Sequence, residues 1–391
     1  MDEALPGMSM ADSVEVHRKL RGKIFIGAKA RIKSMEDLAT LYTPGVAEPC
    51  RLIAKDRSLA YDYTMKGNAV AIVSDGTRVL GLGDIGPEAA LPVMEGKALI
   101  MQQFAGIDAI PIVLDTKDED EIVRIVKAIS PGFGAINLED IETPKVFSIE
   151  KRLTEELDIP VFHDDQHGTA MVSLAGLYNA LKVTGRAGKA GEGLDAKIGI
   201  VGAGSAGFAI AKLLHAAGFT DLAVFDSKGA LYPGRSDMEE YKKIPASFNT
   251  SGFTGPLADF KGADVLISAA SPGAIPHDTI HAMRKPTIVF AMANPVSEIS
   301  LEEARGLGID VFGTGRSDYP NQINNSVCFP GFLRALLDLR VKRITDAMKI
   351  AAAKGIAETL KKPTREKVVP DAFDRKVLRN IVRRVSEAVQ K

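Results

Sequence analysis

The run Lys197-Ile198-Gly199-Ile200-Val201-Gly202-Ala203-Gly204-Ser205-Ala206-Gly207 fixes the reading of the C-terminal half of this chain. The residues up to Val201 have the apolar character of a buried strand, and 208–217 continues as a helix. Between them lies Gly-x-Gly-x-x-Gly. Gly202 permits the tight turn, Gly204 lets the backbone approach a pyrophosphate, and Gly207 lets the helix pack on the strand. The helix start adds free N–H groups and the positive end of its dipole. Asp226 lies 19 residues past Gly207, at the end of the next strand, where an acid binds an adenosine ribose diol. A βα turn without ligand is the plain alternative, and strand, helix and acid in register speak against it. Gly202, Ala203, Gly204, Ser205, Ala206, Gly207 and Asp226 are therefore candidate dinucleotide-binding residues. Asp226 favours NAD because it would repel a 2′-phosphate. Ser227-Lys228 keeps NADP open, since a lysine accepts that phosphate.

On either side of this run the pattern repeats. Apolar runs at 222–225, 265–269, 288–291 and 311–314 alternate with stretches of helical length, which predicts a parallel, doubly wound, Rossmann-like sheet. Two helices, 333–361 and 371–389, are expected beyond it, and the Gly-, Lys- and Ala-rich 183–196 reads as a loop. Upstream, strands are expected at 69–74, 79–82, 109–114, 135–138 and 159–162. Helices are expected at 13–40, 92–104, 118–129, 144–157 and from 169 onward. Asp75-Gly76 predicts a hairpin between the first two strands. A chain of 391 residues exceeds what a single core usually supports. Two α/β domains are expected, 1–162 and 163–391.

Two acidic pairs stand ahead of the glycine run. Glu139-Asp140 ends one upstream strand, and Asp164-Asp165 follows another in Phe162-His163-Asp164-Asp165-Gln166-His167-Gly168-Thr169. Carboxylates in such a group suit a hard cation, Mg²⁺ or Mn²⁺, and strand ends are where open α/β sheets bind ligands. Taken singly, either pair reads equally as solvated loop acid or helix cap. His163 and His167 bracket the second pair, but their spacing straddles a strand-to-helix turn and no third soft ligand for zinc is evident. Structural or supporting roles are expected for both.

Composition excludes several classes. A net charge of −1 speaks against broad nucleic-acid binding. The segment 338–391 is basic, with 15 Lys/Arg against 7 Asp/Glu, and reads as solvated helix faces. Two cysteines, Cys50 and Cys328, make no disulfide framework and suit a reducing compartment; Cys50 is expected as buried structure. No apolar run reaches the roughly 18 residues of a membrane span, and residues 1–11 lack a signal-peptide pattern. A cytoplasmic protein without membrane contact is expected.

Several further segments resemble those of the malic enzymes. Leu41-Tyr42-Thr43-Pro44-Gly45-Val46-Ala47 is similar to that family's tyrosine motif. Ser74-Asp75-Gly76-Thr77-Arg78-Val79-Leu80-Gly81-Leu82-Gly83-Asp84-Ile85-Gly86 resembles its long glycine-bearing segment. Leu91-Pro92-Val93-Met94-Glu95-Gly96-Lys97 looks like its lysine motif. Asp164-Asp165-x-x-Gly168-Thr169 and Asn324-Asn325-x-x-x-Phe329-Pro330-Gly331 complete the set, in family order. The resemblance covers most of the chain and is to the small prokaryotic-type forms. It implies an N-terminal malic-type α/β domain ahead of the NAD(P)-binding one, and oxidative decarboxylation of L-malate to pyruvate and CO₂. It further implies Lys97 as general base, Tyr42 as general acid, and Asp164 as the group that orients Lys97. By the same resemblance Glu139, Asp140 and Asp165 hold the metal, Arg78 binds a substrate carboxylate, and Asn294 and Asn325 position substrate and nicotinamide. A homodimer or larger assembly is implied, and the Tyr42 segment is expected to complete a neighbouring subunit's active site. A lysine serves as base only with a lowered pKa, which a cation and partial burial would provide.

Three other readings compete, the first with the same sites. A malolactic-type enzyme would release lactate. A dehydrogenase acting on amino acids would need no metal. A non-catalytic dinucleotide sensor would bind cofactor without turnover.

Overall fold

The computed structural model describes residues 13–187, 194–316 and 318–390. Two sheets organise it. The first joins β1 (Ala69–Ser74), β2 (Asp108–Val113), β3 (Ala135–Leu138) and β4 (Val161–His163) in the order β2-β1-β3-β4, all parallel. The second joins β5 (Ile198–Val201), β6 (Leu222–Asp226), β7 (Gly229–Ala230), β8 (Val265–Ser268), β9 (Ile288–Ala291) and β10 (Val311–Thr314) in the order β10-β9-β8-β5-β6-β7. Only the two-residue β7 runs antiparallel to its neighbour. Every residue of β1, β3, β5, β8 and β9 is buried. That explains their continuous apolar runs, because parallel strands covered on both faces have no solvent side to alternate toward.

Helices α1 (Ser13–Leu20), α2 (Met35–Leu41), α3 (Ala47–Lys55) and α4 (Ala60–Tyr63) precede the first sheet. Helices α5 (Pro87–Ala105), α6 (Glu119–Ile129) and α7 (Lys145–Glu156) alternate with its strands. The sequence dictates α6 plainly. The Asp118 side chain caps it by accepting from the Glu121 N–H, three acids favour its positive end, and Ile122, Val123 and Val126 form its buried stripe. Helix α8 (Asp164–Val183) leads to the second sheet, followed by α9 (Ser205–Ala216), α10 (Lys243–Ala246), α11 (His277–His281) and α12 (Leu301–Gly306). Then come α13 (Phe329–Asp338), α14 (Asp346–Thr359) and α15 (Arg375–Val389). Helix α14 packs on α8 and α15, while α13 returns to α5 and β3 of the first sheet. One apolar core therefore runs from Val70, Ile72, Met94 and Phe162 through to Ile198, Phe290 and Phe329. Residue 163, the start of the expected second domain, is the last residue of β4.

Several expectations need correction. Residues 79–82 form no strand, and no hairpin follows β1; β1 is flanked on both sides by parallel partners, and 75–86 is a loop anchored by its own polar groups. The segment 13–40 is two helices, because Arg21 and Gly22 take positive φ after α1 and Ser34 caps α2 by accepting from the Asp37 N–H. Helix α5 begins at Pro87, not Pro92. Proline at the first helical position costs nothing, and Pro92 sits within the helix. The closing segment 333–361 divides into α13 and α14, with Arg340 in the left-handed region and Thr345 capping α14. The N-terminal 1–11 and the middle of the 183–196 loop lie outside the described residues. Cys50 is exposed rather than buried, and Cys328 is buried. No helix among the described residues is long and apolar enough to cross a membrane.

Candidate active site

The two sheets present their carboxyl ends to one cleft. From the first come the loop after β1 with Arg78, Glu139-Asp140 after β3, and Asp164-Asp165 after β4. From the second come the glycine loop after β5 and Asn294 after β9. The sides touch. Arg78 Nη1 donates to Ser205 Oγ at 3.3 Å, and the Thr143 and Ser205 hydroxyls share a short hydrogen bond. A Cβ on Gly81 would lie 2.7 Å from Pro295 Cδ.

Lys97 lies in the second half of α5, whose face Ala90, Met94, Ala98 and Met101 bury it against the core. Its ammonium pairs with Asp164 and lies 3.0 Å from Glu139 Oε1. It also sits 4.6 Å from the Phe329 ring centroid. Asn325 Nδ2 donates to the same Asp164 oxygen at 2.8 Å, and Asn137 Nδ2 donates to Glu139 Oε2 at 2.9 Å. Burial alone would lower Lys97, but Asp164, Glu139 and Asp165 outweigh it and hold the ammonium above the ordinary lysine range. The lowered pKa expected from the sequence is therefore not met by these groups alone. Three facing carboxylates attract the proton more strongly than desolvation repels it.

Glu139, Asp140 and Asp165 each offer an oxygen within 4.8 Å of the others. The set fits a hard divalent cation. It is all carboxylate, Glu139 and Asp140 are buried, and Asp140 Oδ2 is a buried oxygen with no hydrogen-bond donor. Burial and the neighbouring Asp165 push the Asp140 carboxyl up to about 7. Burial works against Asp165 as well, yet His163, Lys97 and Arg78 overcome it and hold that carboxyl down to about 2. Asp140 takes φ +52°, the left-handed region where a non-glycine residue is uncommon and strain concentrates at functional sites. His163 Nε2 lies 3.5 Å from Asp165 Oδ2. Its Nδ1 meets Gln166 Nε2 at 2.6 Å, and Gln166 also reaches Glu150. His167 Nε2 lies 2.5 Å from Glu150 Oε1. Both histidines thus support the site from behind.

In the second sheet, residues from Gly202 to Gly204 and Asp226 line a cleft of about 590 Å³ with Lys228, Tyr241, Lys242 and Ala270. A Cβ on Gly207 would lie 1.8 Å from the Gly202 carbonyl oxygen, so only glycine fits. Asp226 ends β6 as expected, but it is not a lone acid. Arg235 Nη2 pairs with it at 3.0 Å, and Lys242 Nζ lies 3.4 Å from its other oxygen.

The structure brings Arg78, Lys97, Glu139, Asp140, Asp164, Asp165 and Asn325 together beside the glycine loop. Asn294 is exposed at the cleft edge against Gly315, whose added Cβ would lie 2.6 Å from Asn294 Nδ2. Tyr42 stands apart at the end of α2, 64% exposed. No side-chain hydrogen bond, ion pair or ring contact joins it to the cluster among the described residues. Several supports carried no signal of their own in the sequence. Buried Asp75 accepts from the Thr77 N–H and hydroxyl and pairs with buried Lys145 at 2.7 Å. Asn137 steadies Glu139. Gly168 makes room for Asp164, since a Cβ there would sit 1.9 Å from Asp164 Oδ1.

Fold and cleft together define a two-domain α/β dinucleotide-binding protein with a lysine–carboxylate centre between its sheets. The comparisons place it further: residues 22–154 match the family model "Malic enzyme, N-terminal domain" and residues 309–391 match "Malic enzyme, NAD binding domain". The chain belongs to the malic enzyme family. It is 48% identical to the bifunctional malic/malolactic enzyme of Bacillus subtilis, covering 96% of this chain and 92% of that one. It is 50% identical to the NAD-dependent malic enzyme of Geobacillus stearothermophilus, covering 94% and 76%. The crystal structure of the NAD-dependent malic enzyme of Thermotoga maritima superposes with a TM-score of 0.90 at 44% identity, covering 96% of this chain and 98% of that one.

Proposed function

We propose that this protein oxidises L-malate to pyruvate and CO₂ with NAD, NADP remaining usable, and that Glu139, Asp140 and Asp165 hold a divalent cation, Mg²⁺ or Mn²⁺. The observation that carries this is the buried lysine–carboxylate centre facing a dinucleotide loop across one cleft. When bound, the dinucleotide accepts the hydride and the cation acts as a Lewis acid toward the substrate oxygens. In this reading Lys97 Nζ takes the proton of the 2-hydroxyl, while Asp164, Asn325 and Phe329 hold it in place. Of the acids that keep Lys97 protonated, Glu139 and Asp165 are assigned to the cation, while Asp164, which acts most strongly, pairs with it directly. With the charge of Glu139 and Asp165 offset by the cation, the pull on the Lys97 proton would weaken and burial would favour the neutral amine more. Arg78 and Asn325 would bind and position the substrate, and Asn294 would help position the nicotinamide. Tyr42 gives its phenolic proton to C3 of enolpyruvate. Arg235 and Lys242 temper the preference of Asp226 for NAD, because the cations beside it also suit a 2′-phosphate.

Tyr42 has to come from a second copy in this reading, since its own chain leaves it exposed. Helices α1 to α4 bury no residue. Phe25, Ile26 and Met35 are 89%, 96% and 78% exposed, an apolar display that suits an interface in a homodimer or larger assembly. Mixing inactive Tyr42→Phe and Lys97→Ala proteins should then restore part of the activity through hybrid active sites. No recovery despite proven subunit exchange counts against it.

A second reading is malolactic, favoured by the name of the Bacillus subtilis relative. Malate, Mn²⁺ and NAD should yield pyruvate and free NADH, and EDTA should abolish both. Lactate without free NADH would establish the malolactic reading. Activity that survives EDTA would remove the metal from the proposal.

A further inference from the structure

A chain of hydrogen bonds runs from Glu150, in α7, toward Asp165 at the start of α8. Burial opposes the charge of Glu150, but His167, His163 and Lys349 outweigh it and hold the carboxyl below the ordinary glutamate range. An ionised carboxylate only accepts. Its Oε2 lies 2.7 Å from Gln166 Nε2, so the Gln166 amide has to turn its nitrogen, not its oxygen, toward Glu150. The same nitrogen lies 2.6 Å from His163 Nδ1, and an amide nitrogen only donates. His163 Nδ1 is then the acceptor, and the ring proton sits on Nε2. His163 and Gln166 are both buried, so water does not compete for these positions.

The nitrogen that carries the proton faces the carboxylate cluster. His163 Nε2 is buried, completes no hydrogen bond among the described residues, and lies 3.5 Å from Asp165 Oδ2. That oxygen also accepts from the Asp140 N–H at 3.3 Å. Both contacts fall on one oxygen and together set the rotation of the carboxylate. The opposite tautomer would fail at both ends, turning a lone pair on Asp165 and an N–H on the Gln166 amide. We infer that Glu150, Gln166 and His163 form a positioning relay, which fixes the His163 tautomer so that its Nε2–H orients Asp165 as a ligand for the divalent cation. This rests on the cation reading of Glu139, Asp140 and Asp165. Partners of this kind behind metal ligands govern affinity by about ten- to a hundredfold.

The test has two arms on the whole protein, neither of which needs turnover. The first reads the histidine rings by nitrogen-15 magnetic resonance, with the His163 signal identified by its loss in His163→Gln. The parent should show a neutral ring with the proton on Nε2. A ring protonated on Nδ1, or on both nitrogens, would overturn the inference without any variant having to fold. The second arm titrates Mn²⁺ alone, read by electron paramagnetic resonance. Gln166→Met keeps the side-chain length but loses the donor, and should weaken Mn²⁺ binding about tenfold or more. His163→Phe should do the same. His163→Gln can still accept from Gln166 and donate to Asp165, and should stay within threefold of the parent. Thermal midpoints without metal, equal to the parent's, would show that the variants fold. Mn²⁺ affinity within twofold of the parent in Gln166→Met would overturn the relay. An equal loss in His163→Gln and His163→Phe would also overturn it, in favour of simple ring packing. Failure of the parent protein to bind Mn²⁺ would instead remove the cation reading, and this inference with it.

Discussion

The carboxyl ends of the two sheets build their sites by opposite means. The first sheet uses side chains: a lysine and four carboxylates, buried or half-buried and mutually charged, with Asn137 among them. The second uses backbone: a glycine loop after β5 that lines the cleft beside Asp226. A side-chain site stores its chemistry in groups that cost free energy to bury, so each needs a named partner, as Glu139 needs Asn137 and Lys97. A backbone site needs absence instead, room where a side chain would stand, as at Gly207. One edge is suited to moving protons, the other to holding a ligand that brings its own chemistry.

The contrast makes the sites fail differently. Lys97→Ala should lower hydride transfer from malate by roughly 10²- to 10⁴-fold, the usual range for losing a general base, while ADP-ribose still binds. Tyr42→Phe should impair pyruvate formation more than oxaloacetate reduction. Equal, mild losses in both variants, followed by stopped-flow absorbance of the reduced cofactor, would refute both roles. Gly207→Ala should do the reverse. A methyl forced against the Gly202 carbonyl displaces the loop, at about 1–3 kcal/mol for overpacking, and dinucleotide affinity should fall while Mn²⁺ binding, read by electron paramagnetic resonance, stays. Parallel loss of both ligands would show that the two edges are not separable.

The smallest effect concerns the support behind the first edge. Burial opposes the charge of Glu150, but His167, His163 and Lys349 outweigh it and hold the carboxyl down to about 2. A depressed folded pKa adds stability that is complete above the ordinary glutamate value and is lost as pH falls through the folded one. Between about pH 4.5 and 2 the protein should lose the stability this group contributes. Glu150→Gln should flatten that part of a urea-midpoint profile. An unchanged slope would show that the histidine network carries no acid sensitivity.

Much of this was legible in one dimension. Alternating apolar runs placed nine of the ten strands' neighbourhoods and the doubly wound second sheet, because parallel strands buried on both faces must be apolar throughout. The acid pairs and the glycine run stood out because strand ends are where such sheets bind. The loop 75–86 misled, since Asp75-Gly76 has the composition of a hairpin turn. Only the parallel pairing of β1 on both sides removes that option. The raised pKa of Lys97 was equally hidden. It depends on Glu139 and Asp164, 42 and 67 positions away in the chain, meeting at one ammonium.

What residue order alone specified, then, is type and local form: the glycine loop, the caps, the apolar periods, the acids at strand ends. These depend on neighbours within a few positions, and local sterics settle them. Which groups meet depends on how separate segments pack. The pairing of Lys97 with two acids, the room that Gly168 leaves for Asp164, the reach of Arg78 to Ser205 and the isolation of Tyr42 all come from contacts between distant parts of the chain. Side-chain charge and orientation respond to every element packed around them, and no stretch of sequence lists those elements in advance.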